Sequence, residues 1–562
     1  MTPRRRPAIA ALLLALLLPA VPEAAERAVV TSAHPIASAA GKAILDQGGN
    51  AIDAAVAVQM ALSVVEPHAS GIGGGAFLLL WDPARPAVVR AFDGLASQPA
   101  RAAISISYEA DGSRLPYERV ENSGRSVGVP GAVAMLAELH AKEGRLPWSA
   151  LFAPAIRAAE DGFPMPPYLH HALVVVGAKL KDPALRAEWM DADGRPRPLG
   201  TIVRNQAQAA SLRLIAEKGA DALRQGELAR AIIAAVTSDE AAPGWMTEAD
   251  LAAYRPRERD ALCAPALGHR ICSMPPPSYG GVVTLQILAM AGQHGIASLP
   301  PDSPAAAHLF LEASRLAYAD RLLHIGDPDF EQVPTAGLVD PIYLRQRASQ
   351  IRADAVIPKV TAGDPPGRRA DIVPSEPGSE PTTSHLAIVD RDGRIVSMTT
   401  TINLYFGSKI AAGGFFLNNA LTNFSAQMRD GQLAVNRMMP GKRPYTSMAP
   451  TIAFDAAGKP VLAVGAAGGV RIPSYVAQAE LGVLAWGMDI GAAMAQPHWH
   501  NANSQSEVES ETPAVALQDA LRALGHQPKV QAMQSGLAGI ARTPAGWVGA
   551  ADARRDGAAV GD

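Results

Sequence analysis

Two adjacent threonines, Thr382 and Thr383, stand where a Pro-, Gly- and acid-rich run from Thr361 to Glu380 gives way to an apolar strand. A threonine hydroxyl is a poor nucleophile at neutral pH unless a base lies beside it. The base that needs no further side chain is the threonine's own α-amine, which becomes free only if the chain is cut before that residue. A run of this composition is where a cut can be tolerated. Without other support, the pair is equally compatible with two ordinary strand residues.

The residues after the pair predict a β-hairpin. Leu386–Val389 is apolar, Asp392-Gly393 is a typical turn pair, and an alternating strand then returns to Thr401. A two-residue loop would place Ser384 opposite Thr401. A one-residue bulge would instead bring Thr383 and Thr401 onto one face. Either register places a second threonine hydroxyl beside the first.

A glycine pair, Gly468-Gly469, follows the apolar strand Val461–Val464. Backbone N–H groups at such a turn can stabilise a developing oxyanion, each contributing about 3 kcal/mol, and glycine lets the backbone come close to a ligand. By itself, a Gly-Gly pair after a strand is more often an ordinary turn.

The composition indicates a globular protein without a nucleic-acid-binding surface. Lys and Arg number 50 against 53 Asp and Glu, so no basic excess favours nucleic acid. Residues 1–25 are predicted to be a signal peptide, with Arg4-Arg5-Arg6 before the short apolar run from Ile9 to Leu18 and small residues at Ala24-Ala25. That run is too short to span a bilayer as a helix. The chain is therefore expected to be secreted or periplasmic, with an uncleaved anchor as the alternative.

The two cysteines, Cys263 and Cys272, flank a segment that reads as a hairpin centred on Leu267-Gly268. Such a hairpin places them opposite each other in a non-hydrogen-bonded pair, roughly 4.5 Å apart at Cα. In an oxidising compartment this predicts a cross-strand disulfide. The alternative is two reduced cysteines packed in a strand.

Helical and strand patterns alternate along the chain and predict an α+β fold of sheets covered by helices. Ser38 to Val65 reads as helix with a break at Gly48-Gly49, and strands dominate after Thr383. Gly71-x-Gly73-x-x-Ala76 formally matches a dinucleotide fingerprint. Its order is helix, glycines, strand, the reverse of what nucleotide binding needs, so we interpret it as a loop packed tightly near an active site.

Dispersed motifs resemble those of the γ-glutamyltransferases (glutathione hydrolases), N-terminal-nucleophile hydrolases that cut themselves into a large and a small subunit. The resemblance covers nearly the whole mature chain and rests on these segments: Gly48–Ala55, Ser70–Gly75, Gly128–Gly131, Pro275–Ser278, Gly326–Pro328, Thr383–His385, Leu417–Asn419, Lys442–Pro444, Gly468-Gly469 and Asp552–Arg555. It implies a four-layer αββα sandwich, autocleavage between Thr382 and Thr383, and subunits of residues 26–382 and 383–562 intertwined in one domain.

The same resemblance implies roles for individual residues. Thr383 would be the nucleophile, Thr401 would hydrogen-bond its hydroxyl, and Gly468 and Gly469 would form the oxyanion hole. The residues that match the family's substrate-binding positions are Asn403, Asn423, Thr446 and Ser447. The family uses no cofactor, and its partners are a small γ-glutamyl amide, such as glutathione, and water or an amino-acid or peptide acceptor.

Three positions depart from the family pattern in one direction. Leu95 stands where the family has the arginine that holds the substrate carboxylate, Ala420 replaces a glutamine, and Asn423 replaces the aspartate that holds the α-amine. Charge-assisted hydrogen bonds contribute roughly 1.5–3 kcal/mol each. Losing two should weaken binding of a zwitterionic glutamyl group by orders of magnitude. Arg90 and Arg101 are near enough in sequence to be substitutes.

The sequence therefore favours a self-processing γ-glutamyltransferase or glutathione hydrolase. One alternative keeps the mechanism but takes a glutaryl-type acyl group that lacks the α-amino and α-carboxylate charges. Another, of a different class, is a cleaved but inactive binding protein. His170-His171 and His498-Trp499-His500 do not have the ligand spacing of a metal site, and no metal is expected.

Overall fold

The computed structural model describes residues 28–101, 106–109, 111–375, 382–425, 428–429 and 432–562. The predicted signal peptide, residues 1–25, lies outside the described residues, as do residues 376–381 just before the threonine pair. None of the described helices is both long and apolar enough to cross a membrane.

The strands are β1 Val29–Ser32, β2 Gly75–Trp81, β3 Val89–Gly94, β4 Phe163–Pro164, β5 Ile202–Val203, β6 Arg257–Asp260, β7 Leu262–Ala266, β8 His269–Ser273, β9 Ile372–Val373, β10 Thr382–Val389, β11 Ile395–Asn403, β12 Ala411–Ala412, β13 Phe415–Phe416, β14 Met428–Arg429, β15 Gln432–Ala434, β16 Thr451–Phe454, β17 Pro460–Gly465, β18 Trp499–His500, β19 Glu507–Glu509, β20 Lys529–Gln531, β21 Ala538–Thr543, β22 Gly546–Ala551 and β23 Ala558–Gly561.

The α-helices are α1 Pro35–Asp46, α2 Ala51–Val65, α3 Tyr117–Glu121, α4 Ala132–Glu143, α5 Ala153–Asp161, α6 Pro167–Val176, α7 Pro183–Trp189, α8 Gln206–Lys218, α9 Asp221–Arg224, α10 Glu227–Thr237, α11 Glu248–Ala253, α12 Gly280–Gln293, α13 Pro304–His324, α14 Thr335–Leu338, α15 Pro341–Ala348, α16 Ile472–Glu480, α17 Ile490–Ala495 and α18 Gln518–Ala523.

Two large sheets carry the fold. One has the strand order β23-β1-β10-β11-β2-β3-β6, and the other has the order β22-β21-β17-β16-β8-β7. Each sheet takes strands from both sides of Thr383, so a cut before that residue would leave the two fragments interleaved within both sheets. Such interleaving would keep the fragments together without a covalent link.

Alternating side chains of the two sheets separate three of the apolar clusters, as expected for strands whose successive residues point to opposite faces. Leu386 and Ile388 of β10 pack with α1, α2 and neighbouring helices. Ala387 and Val389 face the second sheet and pack with residues such as Ile452. The other face of the second sheet packs on α12, α13 and α16. The chain is thus an α+β protein with a four-layer αββα sandwich.

The first helical hairpin shows how local sequence sets these layers. The predicted break in residues 38–65 lies between α1 and α2, where Gly48 adopts a φ of +91° that favours glycine. Asn50 and Asp53 then form a reciprocal capping box at the start of α2. All residues of α2 are buried, because the helix lies beneath the seven-stranded sheet and is covered by further helices.

The predicted hairpin around Leu267-Gly268 is present as β7 and β8. Leu267 and Gly268 have φ values of +52° and +76°, which the two-residue turns of β-hairpins require. Cys263 pairs with Cys272 across the ladder, and a disulfide joins them with their Cα atoms 4.0 Å apart.

Replacing both cysteines by serine should destabilise the protein by about 3 kcal/mol, because the short closed loop no longer restricts the unfolded chain. Urea unfolding of the double variant and the parent, each with Thr383→Ala to keep one chain, measures the difference. A parent protein that reacts fully with a thiol reagent without reduction would contradict the disulfide.

Candidate active site

The threonines meet at an irregularity in the β10–β11 ladder. Thr382 pairs with Asn403, but Ser384 pairs with Thr400, so Thr401 and Ile402 together oppose Thr383. A one-residue bulge lies at Thr383, but the alignment of Thr383 with Thr401 already follows from the register that pairs Ser384 with Thr400. The prediction of a two-residue hairpin loop is wrong, because Val389 pairs with Ile395. Three residues, Arg391–Gly393, form the loop beyond the Asp390–Arg394 backbone hydrogen bond, and Gly393 has a positive φ.

The bulge directs the Thr401 hydroxyl at the peptide bond between Thr382 and Thr383. Thr401 Oγ1 donates to the carbonyl oxygen of Thr382 at 2.6 Å. It also accepts the backbone N–H of Asn403 at 2.8 Å, and Thr383 Oγ1 lies 3.5 Å away as a further donor. The chain is continuous through Thr382 and Thr383 here. The nucleophile candidate and a polarised carbonyl are therefore neighbours in the uncut form.

The glycine-rich segment after α2, Gly71–Gly75, packs closely against this bulge. A Cβ on Gly74 would lie 2.3 Å from the carbonyl oxygen of Thr401, and one on Gly73 would lie 2.2 Å from that of Phe416. Only glycine allows backbones to approach this closely. The segment packs against the threonine site, as the interpretation of a tightly packed loop requires.

Arg555 fixes the other end of the Thr383 residue. Its Nη1 donates to the Thr383 carbonyl oxygen at 3.1 Å, and its guanidinium lies 4.3 Å from the centre of the Tyr168 ring. Nε and Nη2 both donate to the carbonyl oxygen of Gln534. With these partners, the buried guanidinium holds the backbone of β10 where the strand begins.

Gly468 and Gly469 form a turn just beyond β17, with φ values of +125° and +64°. A Cβ on Gly468 would lie 2.5 Å from the Tyr475 ring. Among the described residues, neither backbone N–H has a hydrogen-bond acceptor. Gly468 lines a cavity of about 500 Å³ together with Thr382. Two unpaired donors beside the threonine site can stabilise negative charge on an oxygen that enters there.

His385 sets the distance between the threonine strand and the glycine turn. Its imidazole lies so close to Gly465 of β17 that a Cβ there would be 2.3 Å from Cε1. Its Nδ1 shares a hydrogen bond of 2.8 Å with Thr399 Oγ1, and burial lowers the pKa of His385 to about 3. The neutral His385 ring is fixed between the two sheets and keeps them apart at this point.

Glu66 is a buried carboxyl on the other face of β10. It accepts a hydrogen bond from Ser384 Oγ at 2.6 Å, and Ser70 Oγ lies 3.0 Å from the same hydroxyl. Burial raises the pKa of Glu66 to about 7, although Ser384 and the charge of Arg555 oppose that shift. The carboxyl therefore holds a proton over much of the range below neutral pH.

Comparison with known protein families identifies the family of this chain. The model of the family described as gamma-glutamyltranspeptidase matches residues 37–562. The chain belongs to the γ-glutamyltranspeptidase family.

The relatives of this chain have two kinds of name, glutathione hydrolase and acylase. The chain is 35% identical to a glutathione hydrolase proenzyme of Bacillus subtilis (strain 168), over 95% of this chain and 91% of that protein. It is 36% identical to the acylase ACY 1 proenzyme of Pseudomonas sp. (strain SE83), over 96% and 94%. The crystal structure of cephalosporin acylase from Bacillus halodurans has a TM-score of 0.82 and 29% identity, over 98% and 99%.

The two asparagines that the sequence predicts to bind substrate, Asn403 and Asn423, contact each other. Asn423 Nδ2 donates to Asn403 Oδ1 at 3.1 Å. Asn403 Nδ2 in turn donates to the carbonyl oxygen of Asn419 and to Thr422 Oγ1. Asn403 has a φ of +79°, a strained conformation for a non-glycine residue, and it directly precedes Leu404 in the cavity wall.

None of the sequence-matched substrate positions, Asn403 and Asn423 included, is among the described residues that line this cavity. Thr446 and Ser447 are buried before β16, where the N–H of Tyr279 donates to the Thr446 carbonyl oxygen. Leu95 is 2% exposed and packs between the two sheets. Ala420 is buried, with its N–H bound to Asn418 Oδ1.

The prediction that Arg90 substitutes for the missing arginine is wrong. It donates to Glu143 and to Glu258, and it lines a different cavity, with Pro275 among its neighbours. Its charge is neutralised by these two carboxylates. Arg101 is exposed on the surface.

The histidine clusters have ordinary partners. His498 bonds Gln478 and Ser535 through its two ring nitrogens, and His500 Nδ1 bonds Ser474 Oγ. Within the described ranges, no group of three or more His, Cys, Asp or Glu side chains could hold a metal ion.

Sequence reasoning missed Glu66, the role of Arg555, and Lys409, which lines the same cavity as Thr382. Glu66 precedes a proline at the end of an apolar helix, where a charged residue reads as exposed. Lys409 follows Gly407-Ser408 in a segment with no periodic pattern. An exposed loop is the natural expectation for both, and only the packing of distant segments makes them part of the site.

Glu66→Gln should stabilise the protein relative to the parent more strongly at pH 8 than at pH 5. The raised pKa means that the folded state of the parent loses stability as pH rises from about 4.5 to about 7, by about 3 kcal/mol in total. Gln cannot ionise, so this loss disappears. Thermal unfolding of the variant and parent, each carrying Thr383→Ala, should show a Tm difference that grows from pH 5 to pH 8. A constant difference would contradict the buried, protonated carboxyl.

Proposed function

We propose that this chain is a self-processing amide hydrolase or acyltransferase whose nucleophile is Thr383, exposed by autocleavage between Thr382 and Thr383. The observation that carries the proposal is the hydrogen bond from Thr401 Oγ1 to the Thr382 carbonyl oxygen. That bond draws electron density from the one carbonyl whose carbon the Thr383 hydroxyl must attack.

The cleavage proceeds as an N-to-O acyl shift. Thr383 Oγ1 attacks the Thr382 carbonyl carbon, its proton passes to the Thr383 nitrogen, and the C–N bond breaks. An ester between Thr382 and the Thr383 hydroxyl results, and the α-amine of Thr383 is free. Water then hydrolyses the ester, which leaves a Thr382 carboxylate and a free hydroxyl on Thr383.

Turnover uses the same hydroxyl with its own amine as base. The amine takes the Oγ1 proton while Oγ1 attacks the substrate amide, and the proton goes on to the departing amine. Gly468 and Gly469 supply N–H groups to the oxyanion. Water or an acceptor amine releases the acyl group. Thr401 continues to hydrogen-bond the nucleophile.

The first candidate donor is a γ-glutamyl amide such as glutathione, as the family and the glutathione hydrolase relatives support. Asn403 and Asn423 would contact the α-amine end, and Thr446 and Ser447 the carboxylate end. The Glu121 carboxylate, in the wall of the cavity that Thr382 lines, offers the negative charge for an α-ammonium that Asn423 lacks.

The second candidate donor is a glutaryl-type amide without the α-ammonium. Leu95, Ala420 and Asn423 are neutral at the three positions where the family recognises a zwitterion. The acylase names of two close relatives support this donor. The reaction is the same for both donors, and only the charge of the acyl group differs.

The proposal includes export. Residues 1–25 have the pattern of a signal peptide, and the Cys263–Cys272 disulfide is typical of an oxidising compartment. We expect the mature protein in the periplasm or outside the cell.

Thr401→Val should slow self-cleavage by about 100-fold, because it removes the donor to the Thr382 carbonyl and leaves the side-chain volume nearly unchanged. Thr401→Ser keeps the hydroxyl and should cleave within a few-fold of the parent rate. Gel densitometry of freshly purified precursor over time measures both rates. Equal rates for the two variants would show that the hydroxyl is not involved.

Glutathione and a glutaryl amide, offered side by side, decide the donor. Release of glutamate from glutathione, lowered at least 10-fold by Glu121→Gln while glutaryl release stays unchanged, supports the first candidate. Release of glutarate alone supports the second. Mass spectrometry of the quenched reactions should find one acyl group on the small subunit. Turnover that persists in Thr383→Ala would contradict the threonine mechanism.

A further inference from the structure

A cut before Thr383 would make that residue the first of strand β10. In the uncut chain the strand continues into Thr382, which pairs with Asn403. After a cut, the first ladder pair that remains next to the nucleophile is Ser384 with Thr400. Chain ends are poorly ordered unless they are tied down, whereas a nucleophile has to be held within about 0.5 Å of its reactive position. The contacts that tie down the start of β10 therefore matter for the chemistry.

One of these contacts is made by the side chain of Ser384. Its hydroxyl donates to Glu66 Oε2 at 2.6 Å, and Ser70 Oγ lies 3.0 Å away. The next residue, His385, packs on Gly465 of the second sheet, so Ser384 points to the helical side of β10. Neither Glu66 nor Ser384 lines the cavity at the threonine site. The contact thus holds the strand without occupying the space for a substrate.

Glu66 is fixed by its own backbone, directly after helix α2. Its N–H donates to the carbonyl oxygen of Leu62 at 2.8 Å, and its carbonyl oxygen accepts the N–H groups of Ala69 and Ser70 at 3.0 and 3.2 Å. Pro67 follows and restricts the backbone further. A carboxyl on such a firmly bonded turn holds its partner in one place.

The bond between Glu66 and Ser384 would join the two polypeptides after a cut, because Glu66 precedes the cut in the chain and Ser384 follows it. A second contact holds the same part of the strand, since Arg555 Nη1 donates to the carbonyl oxygen of Thr383 at 3.1 Å. Together the two contacts fix the peptide group that links the nucleophile to the rest of β10.

The stability of the fold does not account for an acid at this position. Among the described residues, Glu66 Oε1 has no hydrogen-bond partner. His68 Nε2 lies 3.9 Å from it, which is too far for a hydrogen bond. A buried carboxyl oxygen without a partner destabilises a protein, and an apolar side chain of similar size would avoid that cost.

The contact does not depend on the charge of Glu66. Burial raises the pKa of this carboxyl to about 7, and the charge of Asp556 adds to that shift while Ser384 and Arg555 oppose it. A carboxyl that is protonated on Oε1 still accepts a hydrogen bond at Oε2, and an ionised one accepts it more strongly. The bond is therefore available on both sides of neutral pH, and a neutral amide can also form it.

We propose that Glu66 is a positioning residue that acts through the Ser384 hydroxyl and holds the N-terminal Thr383 in its reactive orientation once the chain has been cut. The inference rests on the proposed threonine mechanism and deepens it. Glu66 touches neither the substrate nor the reacting atoms. Loss of the contact should therefore slow the chemical step and leave substrate binding unchanged.

Turnover of glutaryl p-nitroanilide or γ-glutamyl p-nitroanilide, whichever the parent hydrolyses faster, tests this role. Intact mass gives the fraction of each variant that is cut before Thr383, and kcat is calculated per cut molecule. Glu66→Leu and Ser384→Ala should each lower kcat by about 10- to 100-fold, the range for a small displacement of a reacting group, and change KM less than about 3-fold. The double variant should lose no more than either single one, because both changes remove the same bond.

Two further variants separate the hydrogen bond from general disturbance of the core. Glu66→Gln keeps an acceptor for the Ser384 hydroxyl and should recover kcat to within about 3-fold of the parent value. Ser63→Ala removes another buried hydroxyl, which donates to the Met60 carbonyl oxygen within α2, and should leave kcat unchanged.

Hydrogen exchange of the cut proteins, followed by mass spectrometry, gives a readout that needs no turnover. The peptide that begins at Thr383 should exchange at least about 10-fold faster in Glu66→Leu than in the parent, because the start of β10 opens more often. Peptides from β21 should exchange at the parent rate.

Parent values of kcat and exchange in Glu66→Leu would overturn the role of Glu66. A Glu66→Gln variant as slow as Glu66→Leu would also overturn it, because the amide keeps the acceptor. A parent that stays uncut and hydrolyses neither anilide would instead overturn the threonine mechanism. Exchange of residues 383–389 in the uncut parent and in Glu66→Leu would then still decide whether Glu66 holds the start of β10.

Discussion

The hydrogen bond from the Thr401 hydroxyl to the carbonyl oxygen of Thr382 is the interaction around which the candidate site is built. The three-residue hairpin loop sets the register in which Ser384 pairs with Thr400, and the bulge that follows leaves Thr401 and Ile402 together opposite Thr383. Bulges of this kind re-aim side chains next to active sites. The close approach of Gly74 to Thr401 and the grip of Arg555 on the Thr383 carbonyl then keep both strands in place.

The two-sheet architecture brings the glycine turn to this bond. β10 and β17 belong to different sheets, and the neutral His385 ring packed on Gly465 sets the gap between them. That gap determines where Gly468 and Gly469 lie relative to Thr383. Because strands on both sides of Thr383 contribute to each sheet, a cut before Thr383 can free an amine at the site without separating the layers.

Much of this arrangement could be predicted from the sequence where the signal was local or motif-based. The helix break at Gly48-Gly49, the β7–β8 hairpin and the strands around Thr383 follow from turn residues and apolar alternation. The predicted hairpin register at Asp390–Arg394 is wrong by one residue, because a three-residue loop and a two-residue loop share the same Asp-Gly signal. The partners of Glu66 and Arg90 come from segments far apart in the chain, and no local pattern specifies them.

Intact mass of the purified protein tests the central claim most directly. The account predicts two polypeptides that remain together under native conditions, the smaller of which begins at Thr383. A single chain containing both Thr382 and Thr383, stable over prolonged incubation at neutral pH, would contradict self-cleavage and leave a binding protein as the better interpretation.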